Sequence, residues 1–153
     1  MEKTVARMLS GNRVPMSGSG AIKGDCIVPL DQYRSIYVEC KLTAQETLRL
    51  ETAWLSKAKA ESKAMRCVFP ILVYHFHRSH DYYVLVPEDA QAFITLHTTH
   101  GIGRIDYVNA KAMPVTPEWA KRTVEIDTSS GIWYNRHIDV LRSALGSLTE
   151  NEK

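Results

Sequence analysis

Residues 35–42, Ser-Ile-Tyr-Val-Glu-Cys-Lys-Leu, are rich in β-branched and aromatic side chains, yet they carry a glutamate and a lysine two positions apart. That composition favours a strand, and successive side chains on a strand alternate between its two faces. Glu39 and Lys41 therefore share one face. Val38, Cys40 and Leu42 share the other, which is expected to pack against apolar neighbours.

The chain has 153 residues, a one-domain length at which about 68–70% of the unfolded surface is buried. With 44% hydrophobic and 24% charged residues it is neither a disordered tail nor a fibre. The longest apolar stretch, residues 68–76, contains Pro70 and His75 and falls well short of a bilayer-spanning helix. The N-terminus has no basic-then-apolar signal region, so a cytoplasmic location is expected. Cys26, Cys40 and Cys67 are odd in number and lack C-x-x-C spacing, which argues against a disulfide framework or a cysteine zinc site. Residues 1–66 carry 11 Lys and Arg against 7 Asp and Glu, whereas residues 67–153 carry 8 against 10. The basic first half suits a polyanion such as nucleic acid, although an ordinary solvated surface fits the charge equally well.

The patterning predicts a short helix over residues 1–9, a turn-rich loop at 13–20, and antiparallel neighbouring strands at 25–28 and 35–42. An uninterrupted helix is expected over residues 44–65, with Ala44, Leu48, Leu55, Ala58, Ser62 and Met65 on one stripe. Strands follow at 67–76 and 82–86, then a short helix at 87–96 opened by Pro87. Gly101, Gly103, Pro114 and Pro117 mark loops. Residues 119–126 and 132–134 read as two strands or as a helix and a strand, and residues 136–148 as an amphipathic helix. This is a mixed α/β order in a single domain, with residues 1–97 as a core and 98–153 as an extension of open role.

Asp25 opens the strand expected beside the one holding Glu39 and Lys41, so two carboxylates and an ammonium converge on one sheet edge. Hard carboxylate oxygens suit Mg²⁺ or Mn²⁺, which bind through one or two carboxylates plus substrate phosphate. Such a grouping fits metal-assisted phosphodiester hydrolysis, with Lys41 orienting the nucleophile and supporting developing negative charge. Glu2 is a candidate additional carboxylate from the first helix. Taken as three letters, the same pattern also fits a cross-strand ion pair worth roughly 0.2–1 kcal/mol.

The wider context favours chemistry. Glu2-x-x-x-x-Arg7-x-Leu9, the R-x-P-x-S-G loop at Arg13 to Gly18, the Gly24-Asp25 strand start, the V-E-x-K strand and the basic helix after it together resemble the PD-(D/E)xK nuclease superfamily. Within that superfamily they are similar to the archaeal-type Holliday junction resolvases and their phage relatives. The resemblance runs from about residue 2 to 75. It implies a PD-(D/E)xK-like mixed central β-sheet flanked by helices, and a Mg²⁺- or Mn²⁺-dependent, homodimeric endonuclease that cuts four-way DNA junctions during recombination. It further implies Asp25, Glu39 and the main-chain carbonyl of Cys40 as metal ligands, Glu2 as the helix carboxylate, Lys41 as the catalytic lysine and Ser17 as the loop serine at the scissile region. Arg13, Ser17, Ser19 and Lys23, with Lys57, Lys59 and Lys63 on the helix, are the implied DNA contacts. Branched DNA is the expected partner, and no protein partner is implied. Alternatives are a related endonuclease acting on other duplex or damaged DNA, and a non-catalytic nucleic-acid-binding module on the same scaffold.

Other features point less sharply. His75, His77, His80, His97 and His100 fall in one short region, but without a fourth ligand set they read better as solvated or DNA-facing than as a zinc or HNH centre. Gly101-Ile102-Gly103 lacks the third glycine of a dinucleotide loop. The Lys57, Lys59, Lys63 and Arg66 series suits either a solvated helix face or phosphate contacts. Trp54, Trp119 and Trp133 read as core or dimer-interface anchors. Asn135-Arg136-His137 is too short to carry meaning.

Overall fold

The computed structural model describes residues 2–10, 25–96 and 103–151, and the side chains of residues 4–9, 26–96 and 103–146. The elements are α1 (Glu2–Ser10), β1 (Asp25–Pro29), β2 (Ser35–Thr43), β3 (Leu48–Glu51), α2 (Thr52–Ala64), β4 (Pro70–Phe76), β5 (Tyr82–Pro87) and a 3₁₀ turn (Glu88–Ala92). They continue as β6 (Gly103–Tyr107), β7 (Ala112–Val115), α3 (Pro117–Ala120), β8 (Val124–Thr128), β9 (Gly131–His137) and α4 (Ile138–Asn151).

Seven strands form one sheet in the order β1-β2-β4-β5-β9-β8-β6, with β2/β4 and β6/β8 parallel and the other pairs antiparallel. It is a mixed sheet flanked by helices. The alternation along β4 and β5 divides its apolar residues between two cores. Cys26, Val28, Ile36, Val38, Ile71, Val73, Val84 and Val86 face α1 and α4, which contribute Val5, Leu9, Ile138 and Leu141. Leu72, Tyr74, Phe76, Tyr83, Leu85 and Trp133 face the other way, toward Leu55 of α2 and toward β3 and β7.

The hairpin between β1 and β2 is locally encoded. Asp31 Oδ1 accepts from the Tyr33 and Arg34 backbone N–H groups at 2.9 and 2.8 Å, an Asx-type turn. Arg34 Nε then donates to Asp31 Oδ2 at 2.6 Å and fixes the tip.

The helix expected over residues 44–65 starts instead at Thr52. Residues Leu48–Glu51 form β3, antiparallel to β7 in the register Leu48↔Val115 and Leu50↔Met113. Leu48 and Leu50 are buried while Arg49 between them is exposed, so the period over these residues is two, and a partner some 60 residues away satisfies their backbone. Pro114 sits in β7, one of two strands that form this ribbon among the described residues, where its missing N–H is tolerated at an edge. Thr52 closes the junction, its N–H and Oγ1 both donating to the Lys111 carbonyl, at 2.9 and 3.1 Å.

The helix α2 ends in a Schellman arrangement: Cys67 N–H donates to Ser62 O at 2.9 Å and Arg66 N–H to Lys63 O at 3.1 Å. Arg66 takes the left-handed position with φ 59°, a conformation usually left to glycine.

The C-terminal third, of open role in the sequence, supplies β6, β8 and β9 to the same sheet and α4 to its first face. Gly103, expected in a loop, opens β6 beside Val124. The ambiguous stretch around Trp119 divides into the single turn α3, capped by Thr116 Oγ1 accepting from Trp119 N–H, and the strand β8. No helix among the described residues is long and apolar enough to cross a membrane.

Candidate active site

Strand β2 lies between β1 and β4, and its odd-numbered residues Tyr37, Glu39 and Lys41 stand opposite Pro70, Leu72 and Tyr74 of β4. Since Leu72 and Tyr74 belong to the core under α2, Glu39 and Lys41 lie on that face, and Val38 and Cys40 pack in the opposite core as alternation requires. Leu42 departs from expectation. It is 53% exposed and lies beyond Glu39, the last β2 residue that pairs with β1 among the described residues.

Glu39 is only 5% exposed. A carboxylate at that depth requires partners, and both of its oxygens have one. Tyr37 Oη donates to Oε2 at 3.2 Å, and Lys41 Nζ stands 3.2 Å from Oε1. The Lys41 ammonium also lies over the Trp54 ring, 4.4 Å from its centroid. Trp54 comes from the first turn of α2, placed there because β3 intervenes between β2 and the helix.

The register sets Asp25 directly opposite Glu39. Directly opposed residues of an antiparallel pair share a face of the sheet, so position 25 falls on the face that carries Glu39 and Lys41. Glu2 is the first residue of α1, whose apolar residues pack on the other side of the sheet and against β1. Arg13, Ser17, Ser19 and Lys23 lie outside the described residues, as do His97 and His100.

Two further residues complete the site. Tyr37 precedes Glu39 by two positions, and strand periodicity alone aligns them; its hydroxyl was the signal that sequence reading passed over. Trp54, for which the sequence predicts a core or interface anchor, is half-buried against Lys41. Nothing in the local sequence indicated this, because its azimuth depends on where α2 begins. Trp133 is fully buried in the core, as expected of an anchor.

On α2, Lys57 and Lys63 are exposed. Lys59 is instead committed to the Ser130 carbonyl, its ammonium 5.5 Å from the centroid of the Trp133 ring.

The histidines disperse. His75 stacks on Tyr82 with ring centroids 3.9 Å apart, and its Nδ1 lies 2.9 Å from the Asp81 carbonyl. His77 and His80 are exposed. Among the described residues no group of three or more His, Cys, Asp or Glu side chains is placed to hold a metal ion.

The Asn135-Arg136-His137 triplet carries structural weight unseen in its letters. Asn135 is fully buried, accepting from Tyr74 Oη at 2.5 Å and donating to the Ala120 and Arg122 carbonyls at 3.0 and 2.8 Å. His137 Nε2 meets Asp81 Oδ1 at 3.0 Å, and this bond holds the Asp81 carboxyl below its ordinary value.

No family model matches this sequence, and no curated protein matches it. Among solved structures the chain is similar to Hjc, a Holliday junction resolvase from the archaeal hyperthermophile Archaeoglobus fulgidus. The likeness covers 69% of this chain and 77% of that one at 8% identity, with a TM-score of 0.39.

Proposed function

We propose that this chain is a metal-dependent, structure-selective endodeoxyribonuclease that resolves four-way DNA junctions as a homodimer. The observation that carries the reading is the buried Glu39 carboxylate, held by Tyr37 and Lys41, with Asp25 opposite it in the β1/β2 register. A bare structural ion pair has no need of a second acid at the opposed position of the neighbouring strand.

The donor chemistry suits a hard divalent cation: two carboxylates at opposed strand positions, beside a strand backbone that offers carbonyl oxygen. Asp25, Glu39 and the Cys40 main-chain carbonyl would hold Mg²⁺ or Mn²⁺, with Glu2 as a further carboxylate. When bound, the ion supplies acidification of a ligated water and neutralisation of phosphate charge.

The protein's own groups do the rest. Lys41, two residues from Glu39 on the same face, orients the attacking water and meets the negative charge that grows on the phosphoryl oxygens. Trp54 restricts the ammonium to one side, and Tyr37 keeps the Glu39 carboxylate from rotating. Exposed Lys57 and Lys63 offer phosphate contacts that position DNA without reading sequence.

One such site cuts one strand, so symmetric resolution calls for two chains related by a two-fold axis. The test uses a synthetic four-way junction and a linear duplex of matched sequence, with Mg²⁺ or EDTA, alongside light scattering of the free protein. Asp25→Asn, Glu39→Gln and Lys41→Ala should each abolish nicking while leaving junction binding within a few-fold. Near wild-type cutting by any of them removes that residue from the site. A monomer that cuts duplex as readily as junction overturns the resolvase reading and leaves the nuclease chemistry standing.

A further inference from the structure

Where the parallel strands β2 and β4 end, the surface opens into a cleft of about 470 Å³ lined by Gln45, Glu46, Phe76, His77, Arg78 and Pro117, among others. Its two walls are tied together, since His77 N–H donates to the Thr43 carbonyl at 2.8 Å. The carboxyl ends of parallel strands are where open α/β sheets ordinarily take ligands, and the volume falls within the range of small-molecule sites. Neither the motif nor the reading of Glu39 and Lys41 uses it.

The cleft lies on the active-site face. Phe76 belongs to the same core as Tyr74 and is paired with Thr43, as Tyr74 is with Lys41. It therefore begins two residues beyond Lys41, about 6.6 Å at the rise of a strand. DNA climbs about 3.4 Å per base along each strand, so the offset corresponds to about two nucleotides.

The lining has three chemistries. The exposed Ala44 and half-buried Pro117 give apolar surface against which a base can lie, with the Phe76 ring buried behind them. Gln45 and Glu46, both exposed, bring an amide and a carboxylate, the groups that pair with base edges. Arg78 and His77 are exposed, and Arg78 makes no ion pair with the described residues, which leaves its guanidinium available to a phosphate.

We propose that this cleft is a nucleotide subsite: it takes an unpaired base of the DNA strand that adjoins the scissile phosphate, with Arg78 on that nucleotide's phosphate. The placement along the strand rests on the nuclease reading; the binding chemistry does not. A base pair at a branch point opens at lower cost than one inside a linear duplex, so the subsite would also contribute to choice of branched DNA.

The test uses ¹⁵N-labelled full-length protein in EDTA, titrated separately with deoxynucleoside 5′-monophosphates and with inorganic phosphate. The expected result is saturable amide shifts at residues 44–46 and 77–79 with the nucleotides, weakened at least fivefold by Arg78→Ala and partly recovered by Arg78→Lys. Shifts confined to residues 77–79 and matched by inorganic phosphate would overturn the base-binding assignment. Silence at the cleft up to about 10 mM, beyond a millimolar affinity, would overturn the proposal entirely. In junction cleavage, Arg78→Ala should raise KM at least threefold with kcat near wild type; an unchanged KM would overturn the subsite's part in DNA binding. A protein that binds nucleotides at the cleft but cuts no DNA with any divalent ion would defeat the nuclease reading and sustain the cleft as a nucleotide site.

Discussion

The Lys41 ammonium lies 4.4 Å from the centroid of the Trp54 ring, so the two residues meet across the β2/α2 layer although thirteen positions separate them in sequence. Such a contact is worth roughly 0.5–2 kcal/mol. It leaves Lys41 27% exposed, restrained by Glu39 and the ring yet open to solvent on its remaining side.

Trp54→Ala should lower junction-cleavage kcat about tenfold, since each 1.4 kcal/mol is one decade. Trp54→Phe, which keeps a π-face, should stay within about threefold of wild type, while Trp54→Leu should behave like alanine. Steady-state kinetics on the three variants checks the order. Equal activity in the phenylalanine and leucine variants would show that the ring only fills space.

Cleavage should run on Mg²⁺ or Mn²⁺ and stop in EDTA, because every implied ligand is an oxygen. Ca²⁺, larger and less demanding of octahedral geometry, should support junction binding with little turnover. Activity that requires Zn²⁺ and falls with His75→Ala would move the chemistry to a histidine site.

Arg66→Gly should stabilise the fold. The left-handed conformation costs a non-glycine residue roughly 1–2 kcal/mol, and glycine adopts it freely. The expected gain is about 1 kcal/mol, a rise of about 2–4 °C in Tm for a chain of this size. A thermal melt with unchanged or lower Tm would show that the Arg66 side chain makes up the difference.

Asn135→Ala should be among the costlier single changes, about 3 kcal/mol. It strands the Tyr74 hydroxyl and the Ala120 carbonyl in the interior, each loss in the range of 1–3 kcal/mol, and removes a third bond at the part-buried Arg122 carbonyl. Tyr74→Phe removes one donor and should cost about 1 kcal/mol. Urea denaturation of both variants measures the difference, and equal costs would contradict a role for the Asn135 bonds to the Ala120 and Arg122 carbonyls.

The turn carboxylate Asp31 should contribute stability that depends on pH. The Arg34 side chain, followed by the Tyr33 N–H, holds its carboxyl below the ordinary range. A group lowered in the folded state stabilises above its unfolded value, and that contribution is lost as pH falls through its folded value. Asp31→Asn should therefore lie below wild type in urea midpoint at pH 6, with the gap closing toward pH 2.5. A gap independent of pH would assign the effect to turn geometry alone.

Much of this molecule is legible from local chemistry. The hairpin of β1 and β2 follows from Asp31 and the flanking β-rich runs. The shared face of Glu39 and Lys41 follows from a period of two, and the opposing apolar face of Val38 and Cys40 from the same rule. Strand and helix positions around residues 70–87 and the last helix follow from equally local patterns, with ends shifted by a few residues.

What lay beyond the sequence depends on partners distant along the chain. Leu48 fits the helical stripe expected over residues 44–65, and only β7, more than sixty residues later, decides for the strand by pairing the backbone of Leu48–Glu51. That decision sets where α2 starts, and hence brings Trp54 over Lys41. In the same way the letters around Asn135 are silent until Tyr74, Ala120 and Arg122 surround them. Side-chain alternation is a property of a single strand and can be read from it. Register between strands and the phase of a helix are settled by which backbone groups and apolar surfaces meet in three dimensions, and only the tertiary structure supplies those meetings.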